Sequence, residues 1–204
     1  MKRMQLGDTS SKENLFRFVK PALNEVDFVE YFVRFFPRVR SDSSLRCLDL
    51  SANCSNVYSS MSRRFPQMEF LDFRDELRQE EGPVKKLDFS LGFKGSPYDV
   101  ILSNGLLHKV SDRGVFWSCI KSNAESQTRI FAMDFLRAET FEIARSKAEL
   151  FCKSNDDLDE SQVYNSLISA FSIGEIVDMI RKEGLHGLRA EAVSSTHLVI
   201  QGYL

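Results

Sequence analysis

The sequence predicts an α/β fold: a mostly parallel sheet, covered by helices on both faces, that ends in an antiparallel β-hairpin. Two observations predict it. Short apolar runs typical of buried strands alternate with amphipathic runs of helical spacing along the first two thirds of the chain. The chain then ends in two strand-like runs, LRAEAV and THLVIQGYL, separated only by SS, so we expect an antiparallel turn at a sheet edge.

The first forty residues predict a helical lead-in or lid, followed by an α/β domain over residues 41–204. Residues 1–13 are polar, and Pro21 predicts a break between two short helices. Apolar residues then recur at helical spacing until Pro37 ends the helix. They are Phe28, Phe32, Val33, Phe35 and Phe36, and we expect them to pack in the core or under a lid.

The middle of the chain predicts strands that alternate with helices. Strands are expected at 46–50, 68–73, 84–89, 98–104 and 128–136, and helices at 53–65 and 111–122. Only the short segment DELRQEEG is available for a helix between the second and third strands.

The last third predicts helices before the final hairpin. Phe141, Ala144, Ala148 and Phe151 mark an amphipathic helix, a polar run at 153–161 breaks it, and VYNSLISAF resumes a helical pattern. Ser172 and Glu175 form a capping box that begins another helix, and Gly184 is placed to end it.

Composition excludes several classes of protein. The chain has 204 residues and a net charge of -2, so no cationic field is available for nucleic acid. Its apolar runs are shorter than the ~18 residues of a membrane span, and no apolar stretch follows the first basic residues. The four cysteines lack a CxxC pair or a histidine at zinc-ligand spacing. We therefore expect no metal site and a cytoplasmic protein with reduced thiols.

Ligands of open α/β sheets bind beyond the carboxyl ends of the strands, where the strand order reverses. This rule predicts that the ligand site is formed by three segments that follow predicted strands: 49–56, 72–75 and 103–108.

These segments resemble motifs of the class I, Rossmann-like S-adenosylmethionine-dependent methyltransferases, over about residues 24–204. CLDLSANCSN resembles the strand that enters the family's glycine-rich loop, and FLDFRDEL its second strand. YDVILSNGLLHKVSD and IFAMDFLRAE resemble its fourth and fifth strands. The carboxyl-terminal YNSLISAFSIGEIVDMIRKEGL and SSTHLVIQG are similar to a bacterial subgroup that acts on small molecules.

The resemblance implies a binding site for S-adenosylmethionine. It implies that Asp49 holds the amine end or orients the loop, that Asp72 accepts hydrogen bonds from the ribose, and that Asn104 lies beside the methionine moiety. The full set of implied cofactor-binding residues is Asp49, Ser51, Asn53, Asp72, Phe73, Asp88 and Asn104.

The chain departs from the family pattern at two places. Where the family has Gly-x-Gly-x-Gly, this chain has Ser51, Asn53 and Ser55, which removes the residues that let backbone approach a ligand closely. The family's acidic residue after the third strand aligns with Pro83 or Val84, and Asp88 is slightly displaced from it.

Two residues are weak catalytic candidates. His108 could act as a general base or could cover the sheet edge. Asp134, with Arg137, could position a substrate group, or the two could form a local ion pair. Tyr164 and Asn165 lie on a helix that either roofs the site or packs as an ordinary amphipathic element. His197, in the hairpin, is expected to lie far from the cofactor end.

The resemblance therefore implies a methyltransferase that transfers the methyl group of S-adenosylmethionine to a small molecule by in-line displacement. The alternative is a catalytically lapsed member that serves as a binding or scaffold subunit. In that case the phenylalanine-rich N-terminal helices could bind a protein partner.

Overall fold

The computed structural model describes residues 25–40, 44–51, 54–72, 93, 95–153 and 159–204. The described strands are β1 Leu45–Asp49, β2 Met68–Asp72, β3 Val100–Asn104, β4 Arg129–Phe135, β5 Leu188–Ala192 and β6 His197–Tyr203. The described helices are α1 Glu25–Phe35, α2 Cys54–Arg64, α3 Arg113–Asn123, α4 Phe141–Lys153, α5 Glu160–Ser169 and α6 Ile173–Lys182, and a short 3-10 turn covers Pro37–Arg40.

The described strands form one sheet in the order β2-β1-β3-β4-β6-β5. β1 pairs in parallel with β2 and β3, and β3 pairs in parallel with β4. β6 is antiparallel to both β4 and β5. The predicted fold class is therefore confirmed, and β5 is the edge strand of the predicted hairpin, whose turn has four residues, 193–196, rather than two.

Helices cover both faces of the sheet because strand side chains alternate between two apolar clusters. Along β4, Ile130 and Ala132 join a cluster that includes Trp117 of α3 and Ile176 of α6. Phe131 and Met133, on the opposite face, join a cluster that contains the buried side chains of α1 and α2.

The N-terminal phenylalanines pack inside this second cluster. Phe28, Phe32 and Phe36 are at most 2% exposed. The Phe32 ring lies edge-on to Phe65, which follows α2, at 5.6 Å, and to Phe131 of β4, also at 5.6 Å. The core alternative is thus confirmed for these residues, whereas the division of the chain at residue 40 stays a prediction.

α4 and α5 form a helical pair over the carboxyl end of β4. Ala144 and Ala148 of α4 and Val163 and Leu167 of α5 bury their side chains against Phe135. The polar run between these helices lies partly outside the described residues. Three other predicted features lie wholly outside them: the strand at 84–89, the DELRQEEG segment and the break at Pro21.

Both predicted ends of α6 are confirmed. The Ser172 hydroxyl accepts from the Glu175 N–H at 3.3 Å while the Glu175 carboxylate accepts from the Ser172 N–H at 2.9 Å. At the other end Gly184 adopts a φ of +72°, and the Leu185 N–H donates to the Ile180 carbonyl oxygen at 3.0 Å. The left-handed turn that ends the helix needs the conformational freedom of glycine.

The packing of Phe32 generates a stability prediction. We expect Phe32→Ala to lower the free energy of unfolding by about 3–5 kcal/mol, because it leaves a cavity among the rings of Phe36, Phe65 and Phe131. Phe141→Ala is the matched control, since Phe141 is 53% exposed, and it should change the free energy by less than about 0.5 kcal/mol. Urea denaturation measures both, and equal losses would contradict the buried anchoring of α1.

Candidate functional site

Parallel strands bring their carboxyl ends to one edge of the sheet, and the predicted cofactor residues begin there. Asp49 ends β1, is 1% exposed, and its Oδ1 accepts a hydrogen bond from the Ser51 N–H at 2.9 Å. The Leu50 N–H donates to the Leu102 carbonyl oxygen at 2.8 Å. Asp49 therefore holds the Ser51 backbone at the start of the loop after β1.

The strand register places two more of these residues at the same edge of the sheet. Asp72 pairs with Asp49 across β1 and β2, and Asn104, which is half-buried, ends β3 two residues beyond the Asp49 partner Leu102. Asn53, Phe73 and Asp88 lie outside the described residues, and so does the side chain of Asp72. Their assignments to the cofactor stay predictions, as do those of Asp49, Ser51 and Asn104.

The two weak catalytic candidates meet at this edge. His108 lies in the loop after β3, and its Nδ1 is 2.5 Å from the Oδ1 of Asp134, the penultimate residue of β4. Their side chains are 3% and 4% exposed. Asp134 also accepts from the backbone N–H groups of His108 at 3.3 Å and Phe135 at 2.7 Å.

This environment keeps the Asp134 carboxylate ionised. Burial raises its pKa, but the charge and ring N–H of His108 and the two backbone N–H groups outweigh burial, so the pKa lies below its ordinary value. An ionised carboxylate only accepts, hence the His108 Nδ1 carries the proton. In the neutral ring Nε2 then holds a lone pair, and this buried atom has no hydrogen-bond partner among the described residues.

The expected position of His197 is wrong. β6 runs antiparallel to β4, so its first residue lies level with the last residue of β4: His197 pairs with Phe135. The ring centroids of His197 and Phe135 are 4.9 Å apart. The Phe135 ring also contacts the His108 ring, at a centroid distance of 5.5 Å. His197 is therefore buried at the same edge as the His108–Asp134 pair.

The signal for His197 was present in the sequence. A strand that returns antiparallel to a parallel sheet must begin at the carboxyl edge, so the predicted hairpin already implied this location. The pKa of His197 is lowered to about 4, mainly by burial and to a smaller extent by His108, while the charge of Asp134 opposes this shift. Its Nδ1 lies 2.8 Å from the Thr196 hydroxyl.

Arg137 does not pair with Asp134. Its guanidinium binds the Glu175 carboxylate, which together with the two Ser172 donors holds the pKa of Glu175 at about 2. Of the α5 residues, Tyr164 packs against the cluster around Phe135, whereas Asn165 is exposed. Burial lowers the pKa of Lys109, the residue after His108, although the Asp134 charge opposes this.

The described part of the chain offers neither a metal-binding cluster nor a membrane-spanning helix. No group of three or more His, Cys, Asp or Glu side chains in that part of the chain is arranged to hold a metal ion. Within the same ranges, every helix is too short or too polar to cross a membrane.

Comparison with known proteins identifies the fold. No protein-family model and no curated protein matches the sequence. Among solved structures, the plantazolicin methyltransferase BpumL in complex with a triazolic desmethylPZN analog and SAH matches with a TM-score of 0.60 at 10% identity, over 96% of this chain and 90% of that chain.

Two other methyltransferase-fold matches cover as much of this chain. A SAM-dependent methyltransferase from Aquifex aeolicus has a TM-score of 0.52 and 13% identity over 96% of this chain and 98% of its own. PigF with SAH has a TM-score of 0.53 and 16% identity over 97% and 63%. The chain therefore has the class I, Rossmann-like fold of S-adenosylmethionine-dependent methyltransferases, as the sequence motifs indicate.

The low pKa of His197 generates a prediction about pH and stability. The pKa is about 4 in the folded protein and ordinarily 6.5. Between these values the unfolded chain binds a proton that the folded chain does not, so stability falls as the pH falls from 6.5 to 4. The loss attributable to His197 is on the order of 3 kcal/mol.

His197→Phe removes this titration while keeping an aromatic ring beside Phe135. We expect the free energy of unfolding of this variant to decline less between pH 6.5 and pH 4 than that of the unmodified protein. Urea denaturation across this window measures it, with the exposed His186→Phe as the control. Parallel pH profiles for the unmodified protein and His197→Phe would show that burial of His197 is not linked to folding.

Proposed function

We propose that the protein is an S-adenosylmethionine-dependent methyltransferase that acts on a small molecule. We propose also that His108, positioned by Asp134, accepts the proton that the methyl acceptor loses. The observation that carries the proposal is the buried His108–Asp134 pair, because it lies at the sheet edge where this fold class binds its ligands.

A buried carboxylate with a histidine partner is a poor device for stability, since the desolvation of the buried groups offsets most of their attraction. Its retention inside the protein is therefore better explained by chemistry than by folding. Asp134 fixes the His108 tautomer through Nδ1, which leaves Nε2 to accept a proton. A general base positioned in this way typically accelerates a reaction by about 10²–10⁴-fold.

The described residues at the edge fit a methyl donor of this type. A buried carboxylate at Asp49, the Ser51 hydroxyl and the Asn104 amide together offer acceptors and donors for an amine and a carboxylate. Asp72 is the acceptor we assign to the ribose hydroxyls. When bound, S-adenosylmethionine supplies a methyl group activated by its sulfonium charge.

The side chains packed around His108 restrict the access of a substrate to its Nε2 atom. With 3% of the His108 side chain exposed, an acceptor reaches Nε2 only when neighbouring groups move apart. Lid segments that open for substrate are common in enzymes that exclude water from the reaction. The α4–α5 pair, which packs on Phe135 beside His108, is the described element that we assign to this movement.

The ribose assignment generates a binding prediction. Asp72→Ala should weaken the affinity for S-adenosylhomocysteine by on the order of 1.5–3 kcal/mol, because a charged hydrogen-bond acceptor is lost. Isothermal titration calorimetry measures the affinity. The matched control is Glu69→Ala on the same strand, at an exposed position, which should leave the affinity unchanged.

Two outcomes of the same titration would count against these proposals. An unchanged affinity in Asp72→Ala would remove Asp72 from the binding site. No detectable binding to the unmodified protein would contradict the methyltransferase and favour the lapsed scaffold alternative.

The proposed base generates a kinetic prediction. His108→Asn should lower the rate constant of methyl transfer by about 10²–10⁴-fold while leaving the affinity for S-adenosylhomocysteine unchanged. Its residual rate should rise with pH, since bulk hydroxide then removes the proton. The rate is followed as release of S-adenosylhomocysteine, with His186→Asn as the control.

Circular dichroism separates a chemical from a structural defect, because a misfolded variant would lose its helical signal as well as its activity. A folded His108→Asn variant with the rate and pH profile of the unmodified protein would exclude His108 as the base.

A further inference from the structure

We propose that two copies of this chain form a dimer through β5. The two β5 strands pair antiparallel, edge to edge, and extend the sheet across a twofold axis at Ala190. This interaction surface is independent of the proposed activity. Three observations carry it: the edge position of β5, the direction of its backbone hydrogen bonds, and the opposite charges of Arg189 and Glu191.

β5 is an edge of the described sheet. In the strand order β2-β1-β3-β4-β6-β5, its partner within the described ranges is β6. Edge strands offer backbone groups to another chain unless devices such as a proline or a bulge prevent it. β5 contains no proline, and its residues pair one to one with those of β6, without a bulge. The strand is therefore suited to the addition of a further strand.

The hydrogen bonds of β5 alternate in direction along the strand. The Val193 N–H, directly after β5, donates to the His197 carbonyl oxygen at 3.0 Å, so Val193 bonds toward β6. Along an antiparallel pair, every second residue bonds to the same neighbouring strand. Arg189 and Glu191 therefore bond toward β6 as well, and the backbone groups of the intervening Ala190 point away from it.

A second hydrogen bond agrees with this alternation. The Leu188 N–H donates to the Leu185 carbonyl oxygen at 3.0 Å, outside the ladder between β5 and β6. The N–H groups of Ala190 and Ala192 and the Leu188 carbonyl thus face the outer side of the strand. In the proposed pairing, the two Ala190 residues exchange both hydrogen bonds, and each Ala192 N–H donates to the Leu188 carbonyl oxygen of the other copy.

The charges of β5 select the register centred on Ala190. Arg189 and Glu191 are exposed and lie on the face opposite to Leu188 and Ala190, which pack in the core. In this register Arg189 of each copy lies opposite Glu191 of the other. The two residues form a non-hydrogen-bonded pair, the kind in which side chains are closest.

Other registers bring like charges together. An antiparallel pairing centred on Arg189 places two arginines opposite each other, and one centred on Glu191 places two glutamates opposite each other. A parallel pairing in register aligns each charge with its own copy. Charges of one sign on an edge strand keep chains apart. The opposite charges of β5 are instead complementary to themselves in the one register that also matches its outward backbone groups.

The direction of the strands leaves both proposed active sites accessible. β4 and β5 are each antiparallel to β6, so they run in the same direction. When β5 pairs antiparallel with its copy, the carboxyl ends of the two β4 strands lie at opposite ends of the extended sheet. Dimer formation therefore covers neither carboxyl edge, and we expect it to leave the affinity for S-adenosylhomocysteine unchanged.

Sedimentation velocity of the full chain tests the dimer directly. With increasing protein concentration, we expect the sedimenting species to shift from a monomer to a dimer. Arg189→Glu and Glu191→Arg each place like charges opposite each other in both pairs, so each variant alone should raise the dimer dissociation constant by at least about tenfold.

A mixture of the two charge variants tests the register. In a heterodimer of Arg189→Glu with Glu191→Arg, each cross-strand pair again joins a glutamate to an arginine. We therefore expect the mixture to dimerise at concentrations at which each variant alone is monomeric. The matched control is Glu69→Arg, at an exposed position of β2, which should sediment like the unmodified protein.

A backbone variant tests the hydrogen bonds. Ala190→Pro removes an N–H that faces the other copy and leaves the ladder between β5 and β6 intact, because proline is tolerated where the N–H of an edge strand points outward. We expect this variant to remain monomeric. Circular dichroism verifies its fold, and the charge variants test the proposal without it should it fail to fold.

Three results would overturn the proposal. The unmodified protein remains monomeric at every concentration, the dimer persists in both charge variants or in a folded Ala190→Pro variant, or the mixture forms no heterodimer. None of these results depends on the binding of S-adenosylhomocysteine, so the dimer and the proposed function can fail separately.

Discussion

A buried carboxylate stays ionised only where hydrogen-bond donors replace the water it has lost, and this constraint organises the carboxyl edge of the sheet. The Asp134 carboxylate accepts hydrogen bonds from three donors, two of which belong to His108 and one to Phe135. Because the His108 donors come from the loop after β3, the carboxylate ties that loop to the end of β4. The position of the proposed base follows from the solvation of a single charge.

Because β6 runs antiparallel to β4, the turn before β6 lies at the same carboxyl edge of the sheet. Three hydrogen bonds hold the turn before β6. The Tyr31 hydroxyl of α1 donates to the carbonyl oxygen of Val193 at 3.0 Å, and the Lys147 ammonium of α4 donates to the carbonyl oxygen of Ser195 at 2.5 Å. The backbone N–H of Leu136 donates to the carbonyl oxygen of Thr196 at 2.8 Å. The turn therefore connects both helical layers to the strand end that carries Phe135.

Local patterns predicted most of the fold and part of the site. β4 was expected at 128–136 and runs Arg129–Phe135, because a continuous apolar run suits a strand buried on both faces. The capping box of α6 was readable because both of its partners lie within four residues. The edge position of Asp49 and Asn104 followed from a general rule, namely that the carboxyl ends of parallel strands coincide.

By itself the sequence determined the identity and order of those helices and strands that the structure describes, since periodicity, caps and turn residues act over a few neighbouring positions. Only the tertiary structure decided which polar groups meet. Asp134 could have paired with Arg137, three residues away, but it binds His108, 26 residues away, and Arg137 binds Glu175, 38 residues away. The buried carboxylate is solvated by whichever donors the folded chain brings to it, and that choice depends on the packing of β3, β4 and α6 together.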